Sequence, residues 1–251
     1  MRTRILQFCA AAGISALMLA SCNTSDMAQP EQQPIDEKNA AAVNYELESI
    51  GSTTSLSADA TGRLATITGD ASMAKASGGF DITWDTATAR LKEISFDAKR
   101  GKDQVEFKLT TDRYVDLLAI PSKLGAIKIP LGTYQQVKVT AKVQGDKKTP
   151  AVILKGRLTW QGKDIPMDIQ LSGSIDLKAT GKDVVVSDSS IAWKGKLQIS
   201  MDLVISKLQV GDFTGSFDGS KITINVDVNT SVHDKLEGAL ENSMSVEHTH
   251  D

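Results

Sequence analysis

Val137-Lys138-Val139-Thr140-Ala141-Lys142-Val143 places an aliphatic residue at every second position and a polar one between. Successive side chains of a β-strand point to opposite faces, so this segment predicts a strand with one face in a core and the other in water. The same period extends outward on both sides. Ile94, Phe96 and Ala98 share a face, as do Val105, Phe107 and Leu109, and Arg100-Gly101-Lys102-Asp103 between them reads as the turn of a β-hairpin. After Val143 the chain turns at Gly145-Asp146-Lys147-Lys148, and further strands follow at 152–160, 165–171 and 174–178. In the second of these Pro166 stands opposite the apolar face, which marks an edge strand, because proline donates no ladder hydrogen bond. Trp193, Leu197, Ile199, Met201 and Leu203 predict another strand with a bulge at Gly195, and Ile222, Ile224, Val226 and Val228 predict the last.

Helical signals are few. Residues 204–210 fit a short helical turn. Asn229-Thr230-Ser231 could cap a helix from Val232 to about Ser243, carrying Val232, Leu236, Ala239 and Leu240. The tail 247–251 is polar and reads as frayed. Many short strands at regular spacing predict a mainly β fold, an antiparallel β-sandwich with a short C-terminal helix. Ile82-Thr83-Trp84, Leu158-Thr159-Trp160 and Ile191-Ala192-Trp193 repeat an apolar, small, tryptophan pattern. That echo leaves two sandwich-like halves open, with a boundary near 145–150, against the simpler reading of one domain.

The N-terminal stretch has a different character. Arg2 and Arg4 precede an apolar run from Ile5 to Ala20, and Leu19-Ala20-Ser21-Cys22 ends it. The run is shorter than the roughly 20 apolar residues that span a bilayer. It resembles a bacterial lipoprotein signal peptide, 1–21, cleaved between Ser21 and Cys22. The resemblance implies acylation of Cys22 and a membrane anchor of several chains. Asn23 follows the cysteine where an aspartate would argue for inner-membrane retention, which favours the outer membrane. Residues 22–42 include Gln29-Pro30-Glu31-Gln32-Gln33-Pro34 and few large apolar side chains, a composition that predicts a disordered tether with a mean reach of about 25 Å. The remaining organisation is a β domain over 43–230 and a C-terminal helix with a polar tail over 231–251.

Between Ala89 and Val143 stand Tyr114-Val115-Asp116-Leu117-Leu118 and Ile129-Pro130-Leu131-Gly132-Thr133-Tyr134-Gln135-Gln136-Val137-Lys138-Val139. The segment resembles bacterial envelope lipoproteins of the domain-of-unknown-function 4382 type, although Leu131 stands where that pattern has a small residue. The resemblance implies a transthyretin-like (prealbumin-like) β-sandwich with no established catalytic residues. It singles out Gly132 for turn geometry and Tyr134, whose hydroxyl can reach nearby backbone as in a tyrosine corner.

Composition narrows the chemistry. The formal charge is −3, from 28 basic and 31 acidic residues well mixed along the chain, so there is no basic patch to neutralise phosphates and nucleic-acid binding is disfavoured. The only two cysteines are Cys9, inside the leader, and Cys22, so an acylated chain keeps no free thiol for catalysis, metal or disulfide. Aromatic residues make up 5%, barely enough to furnish a core, and read as mostly structural.

His233, His248 and His250 are the only histidines. His248 and His250, with Glu247 and Asp251, could offer imidazole and carboxylate ligands to zinc or copper, but a solvated tail is the simpler reading. His233 reads as a surface or packing residue of the C-terminal helix. Glu46/Glu48 and Asp183/Asp188 have no catalytic context; the stretches 59–62 and 212–215 read as turns. Asp85-Thr86-Ala87 matches a short O-glycosylation pattern, yet turns more often explain such tripeptides. No nucleophile elbow or phosphate loop is present, and nothing calls for a cofactor. The expectation is a non-catalytic, lipid-anchored envelope protein. It would bind the membrane through Cys22 and an envelope protein partner or a small ligand through its β domain. The alternative is a lipid or amphiphile carrier, and a hydrolase or metal-dependent enzyme comes last.

Overall fold

A computed structural model describes residues 39–58, 63–66, 79–119 and 121–250. The signal peptide, its cleavage site at Ser21 and Cys22, the tether before Asn39 and the turn read at 59–62 lie outside the described residues. Along the chain the strands are β1 (Ala40–Ile50), β2 (Thr53–Ala58), β3 (Leu64–Thr66), β4 (Phe80–Arg100), β5 (Asp103–Asp116), β6 (Ser122–Pro130) and β7 (Gly132–Gly145). They continue as β8 (Val152–Trp160), β9 (Lys163–Leu171), β10 (Gly173–Thr180), β11 (Val184–Val186) and β12 (Trp193–Ser200). Two short helices follow, α1 (Met201–Ile205) and α2 (Val210–Gly215), then β13 (Ile222–Ile224), α3 (Thr230–Glu241) and β14 (Met244–His250).

The organising element is β4, with 21 residues. Its register runs from Phe80↔Trp160 to Ala89↔Val152 with β8, and from Leu91↔Val143 to Lys99↔Gln135 with β7. Partner numbers fall steadily along β4, so β8 and β7 lie end to end as one antiparallel partner, interrupted by the loop 146–151. β9 and β10 repeat the arrangement one step further out, from Trp160↔Lys163 to Val152↔Leu171 and from Gly145↔Gly173 to Lys138↔Thr180. The same residues of β4 also pair with β2 and β5. Because each backbone edge takes one ladder, β2 and β5 occupy the opposite edge. Register shifts near Trp84, Glu93 and Ala98 bend so long a strand.

The second sheet has the order β14-β12-β1-β6. Here β1 and β12 are parallel, Val43↔Trp193 to Ile50↔Ser200, whereas β6 and β14 pair antiparallel on the outside. β5 lies against β6 and β10 against β14, so the two sheets face each other along both seams. The buried side chains between them form one continuous core, from Phe96, Tyr134 and Leu197 to Ile82, Leu154, Ile169, Phe213 and Leu236.

The mainly β fold with a short C-terminal helix stands as the sequence predicts, and several details differ, among them that β9, read as an edge strand from Pro166, lies between β8 and β13. The sheets are mixed, since β9 and β13 are also parallel. β1 begins at Ala40, so three residues assigned to the tether belong to a sheet. β12 stops at Ser200, whose hydroxyl accepts the Leu203 N–H and caps α1; Met201 and Leu203 are helical. The strand read over 222–228 ends at Ile224, leaving Val226 and Val228 exposed. The tail read as frayed is β14, paired with β12 from Ile199↔Met244 to Trp193↔His250.

Candidate functional site

The feature with most chemical content lies where β4 begins and β8 ends. Gln161 and Gly162, with φ of 50° and 75°, form the two-residue turn between β8 and β9. Positive φ at both positions matches the twist of a tight hairpin, and it holds Trp160 at the tip, directly across from Phe80. Facing this hairpin is α2, started by a reciprocal capping box between Gln209 and Asp212. Lys235 of α3 donates to Asp212 at 2.6 Å and ties the helix in place. Phe213 is on α2, and Phe217, just past the end of that helix, makes an antiparallel bridge with Ile222. Phe213 meets Phe80 edge-on at 5.8 Å.

Between hairpin and helix is a cavity of about 300 Å³. The sheet contributes Ala58, Phe80, Leu158, Trp160, Ile165 and Ile222, and the helical side contributes Val210, Phe213, Thr214 and Phe217. Its one polar lining side chain, Thr214, donates to the Gly211 carbonyl at 3.3 Å. Among the described residues no charged side chain lines it. Trp160 is 45% and Phe217 41% exposed, so both flank an open mouth. Ligand sites are typically concave and largely apolar, and this volume is at the lower end of their range. No family model, curated protein or solved structure matches this chain. The reading therefore rests on the geometry.

The polar candidates resolve into structural pairs. Tyr45, Gly195 and His248 are register partners across β1, β12 and β14. Gly195 is not at a bulge: the ladder is regular through it, and its missing side chain makes room for the Tyr45 ring. The Tyr45 hydroxyl reaches His248 Nε2 at 3.0 Å, and Phe96 packs edge-on to the same imidazole. Burial pushes the His248 pKa down to about 4 and that of Tyr45 up. His250 stacks on Trp193 at 5.1 Å instead of converging with His248.

His233, Asp234 and Glu237 do converge, with potential ligand atoms within 4.8 Å of one another. The buried His233 accepts the Ser172 N–H at Nε2 (3.2 Å), which puts its proton on Nδ1, 3.1 Å from Asp234 Oδ1. Both ring nitrogens are thus engaged, Nε2 in joining α3 to the β9–β10 junction and Nδ1 with the neighbouring Asp234 on the same helix. Burial raises the Glu237 pKa, and the neighbouring Asp234 and Glu241 carboxylates add to the shift.

Glu48 is bonded to Lys196 and Gln198, and these contacts hold its pKa below the usual range. Asp183 accepts the Gln136 N–H and Asp188 the Ser190 N–H, in separate places. Asp212 caps α2 instead of making a turn. Thr86 lies within β4, where it pairs with Lys155. Tyr134 is fully buried and donates to the Pro130 carbonyl at 2.6 Å, while a side chain at Gly132 would press on Arg100. From composition the aromatic residues read as core, and the sequence carries no direct mark of the pocket. The available signal is two phenylalanines, Phe213 and Phe217, close in sequence, and a tryptophan directly before the Gln161-Gly162 turn.

Proposed function

We propose that this protein is a non-catalytic, lipid-anchored envelope protein whose β domain binds an apolar ligand or the apolar part of an amphiphile. The observation that carries this reading is the cavity of about 300 Å³ between the β8–β9 hairpin and α2, with aromatic walls and, among the described residues, no charged lining residue. An apolar compound gains about 25 cal/mol for each Å² it withdraws from water, and such walls require no hydrogen bonds in exchange. The anchor rests on Leu19-Ala20-Ser21-Cys22 behind Arg2 and Arg4. Acylation at Cys22 would hold the domain at a membrane, with Asn23 favouring the outer one. Among the described residues no helix is long and apolar enough to cross a membrane.

Two measurements test the reading. Labelled palmitate should enter the full chain and be absent from Cys22→Ala. Native mass spectrometry of Cys22→Ala should show one apolar compound per chain, released by organic extraction. A protein that carries nothing apolar and does not enhance the fluorescence of a polarity-sensitive naphthalene dye removes the binding role.

A further inference from the structure

We infer that the pocket takes a single acyl chain of about twelve carbons and leaves the head group in water. This inference rests on the binding role proposed above and specifies its ligand. An apolar cavity of about 150 Å³ accommodates benzene, so a cavity of about 300 Å³ accommodates roughly twice as many carbons. A second chain would remain outside.

The walls decide which end of an amphiphile enters. Burying a charged or hydrogen-bonding group without a partner costs several kcal/mol, and the single lining hydroxyl already donates to the helix backbone. Sugars, nucleobases and ionic head groups therefore stay out. Trp160 and Phe217 are half exposed at the mouth, between apolar walls and water, where an amphiphile has its own boundary. The positions near the lining residues carry both signs, Arg157, Lys163 and Lys221 against Asp81, Asp164, Asp212 and Asp218, and Arg63 pairs with Gln209 beside Val210. Selection is thus by chain length and not by head-group charge.

The test uses the full chain with Cys22→Ala and a dye-displacement titration. Fatty acids from octanoate to palmitate and alkyl maltosides of matching length are added below their micelle concentrations. Affinity should rise about fourfold per methylene up to a chain near dodecyl and then level off, at the same length for both head groups. Phe217→Ala should weaken binding of every chain. Phe213→Ala, which deepens the pocket, should move the plateau to longer chains. Affinity that keeps rising to palmitate, or a plateau that follows the head group, overturns the chain-length inference while leaving a binding role. Failure of every amphiphile to displace the dye, or of the dye to bind, overturns both.

Discussion

At the scale of single residues, the row Tyr45, Gly195 and His248 shows how one missing side chain organises three strands. A Cβ on residue 195 would overlap the Tyr45 ring. Gly195→Ala should therefore cost about 1–3 kcal/mol, the usual range for overpacking, read as a lower midpoint in urea unfolding. His248 gives the row a pH dependence whose sign follows from its environment. Burial holds its folded pKa at about 4, whereas an unfolded histidine titrates near 6.5. The unfolded chain therefore binds the extra proton between these values. Stability should be full above about pH 6.5 and fall towards pH 4 by up to about 1.4 kcal/mol per unit, up to about 3 kcal/mol in all. Carboxylates titrate nearby, and burial raises those of Asp97 and Glu237, so the comparison is made with His248→Phe. That variant should lose this slope between pH 6.5 and 4. An unchanged slope would mean that His248 is protonated in the fold.

At the scale of elements, what was legible depended on which residues carried the alternation. The hairpin of β4 and β5, with Arg100 opposite Asp103, and the strand β7 announce themselves through Val, Ile, Leu and Phe at every second position. β14 obeys the same period with Met244, Val246, His248 and His250 on one side. Its alternation is hidden because half of that face is histidine, which counts as polar until a buried tyrosine is known to face it. The start of β1 is silent because Ala40, Ala41 and Ala42 carry too little apolar surface to mark a strand. The end of β12 is ambiguous because Met201 fits both a strand alternating with Ile199 and a helical stripe with Val204 and Ile205. Ser200, as the cap, decides between them. Pairing partners had no local signature at all: nothing in the sequence of β1 or β12 marks their ladder as parallel. The pocket was invisible for the same reason, since it needs Phe80 and Phe213, which are joined only by the fold. β14 supplies the matching prediction. A frayed tail could be removed within about 0.5 kcal/mol. A chain ending at Ser243 should instead unfold at much lower temperature, because loss of the buried Met244 side chain alone costs about 2–5 kcal/mol. Thermal unfolding by circular dichroism compares the two lengths directly.

At the scale of the whole molecule, the question left by the tryptophan echo is whether two halves fold separately. The echo itself is not a repeat of environment: Trp84 is buried beside β8, Trp160 stands at the pocket mouth, and Trp193 packs under His250. The loop 146–151 does break the partner strand of β4 into β7 and β8, and a domain boundary would belong there. Three features work against a division at that point. β4 crosses it without interruption, the Arg90 N–H donates to the Ala151 carbonyl at the break, and Arg90 also binds Asp112 of β5 through both carboxylate oxygens. The buried side chains on the two sides belong to one cluster. A core shared in this way cannot be exposed on one side without exposing the strand that supports the other, so unfolding should be all-or-none. Three variants each retaining a single tryptophan report on different regions: Trp84 and Trp160 on the β4–β8 region, Trp193 on the four-stranded sheet. Each replacement shifts overall stability, so each variant's urea transition by fluorescence is compared with its own far-ultraviolet circular dichroism. The two probes should superimpose in all three variants. A fluorescence midpoint that separates from the circular dichroism for Trp193 alone would show that the four-stranded sheet unfolds by itself, and that β4 does not couple the two regions.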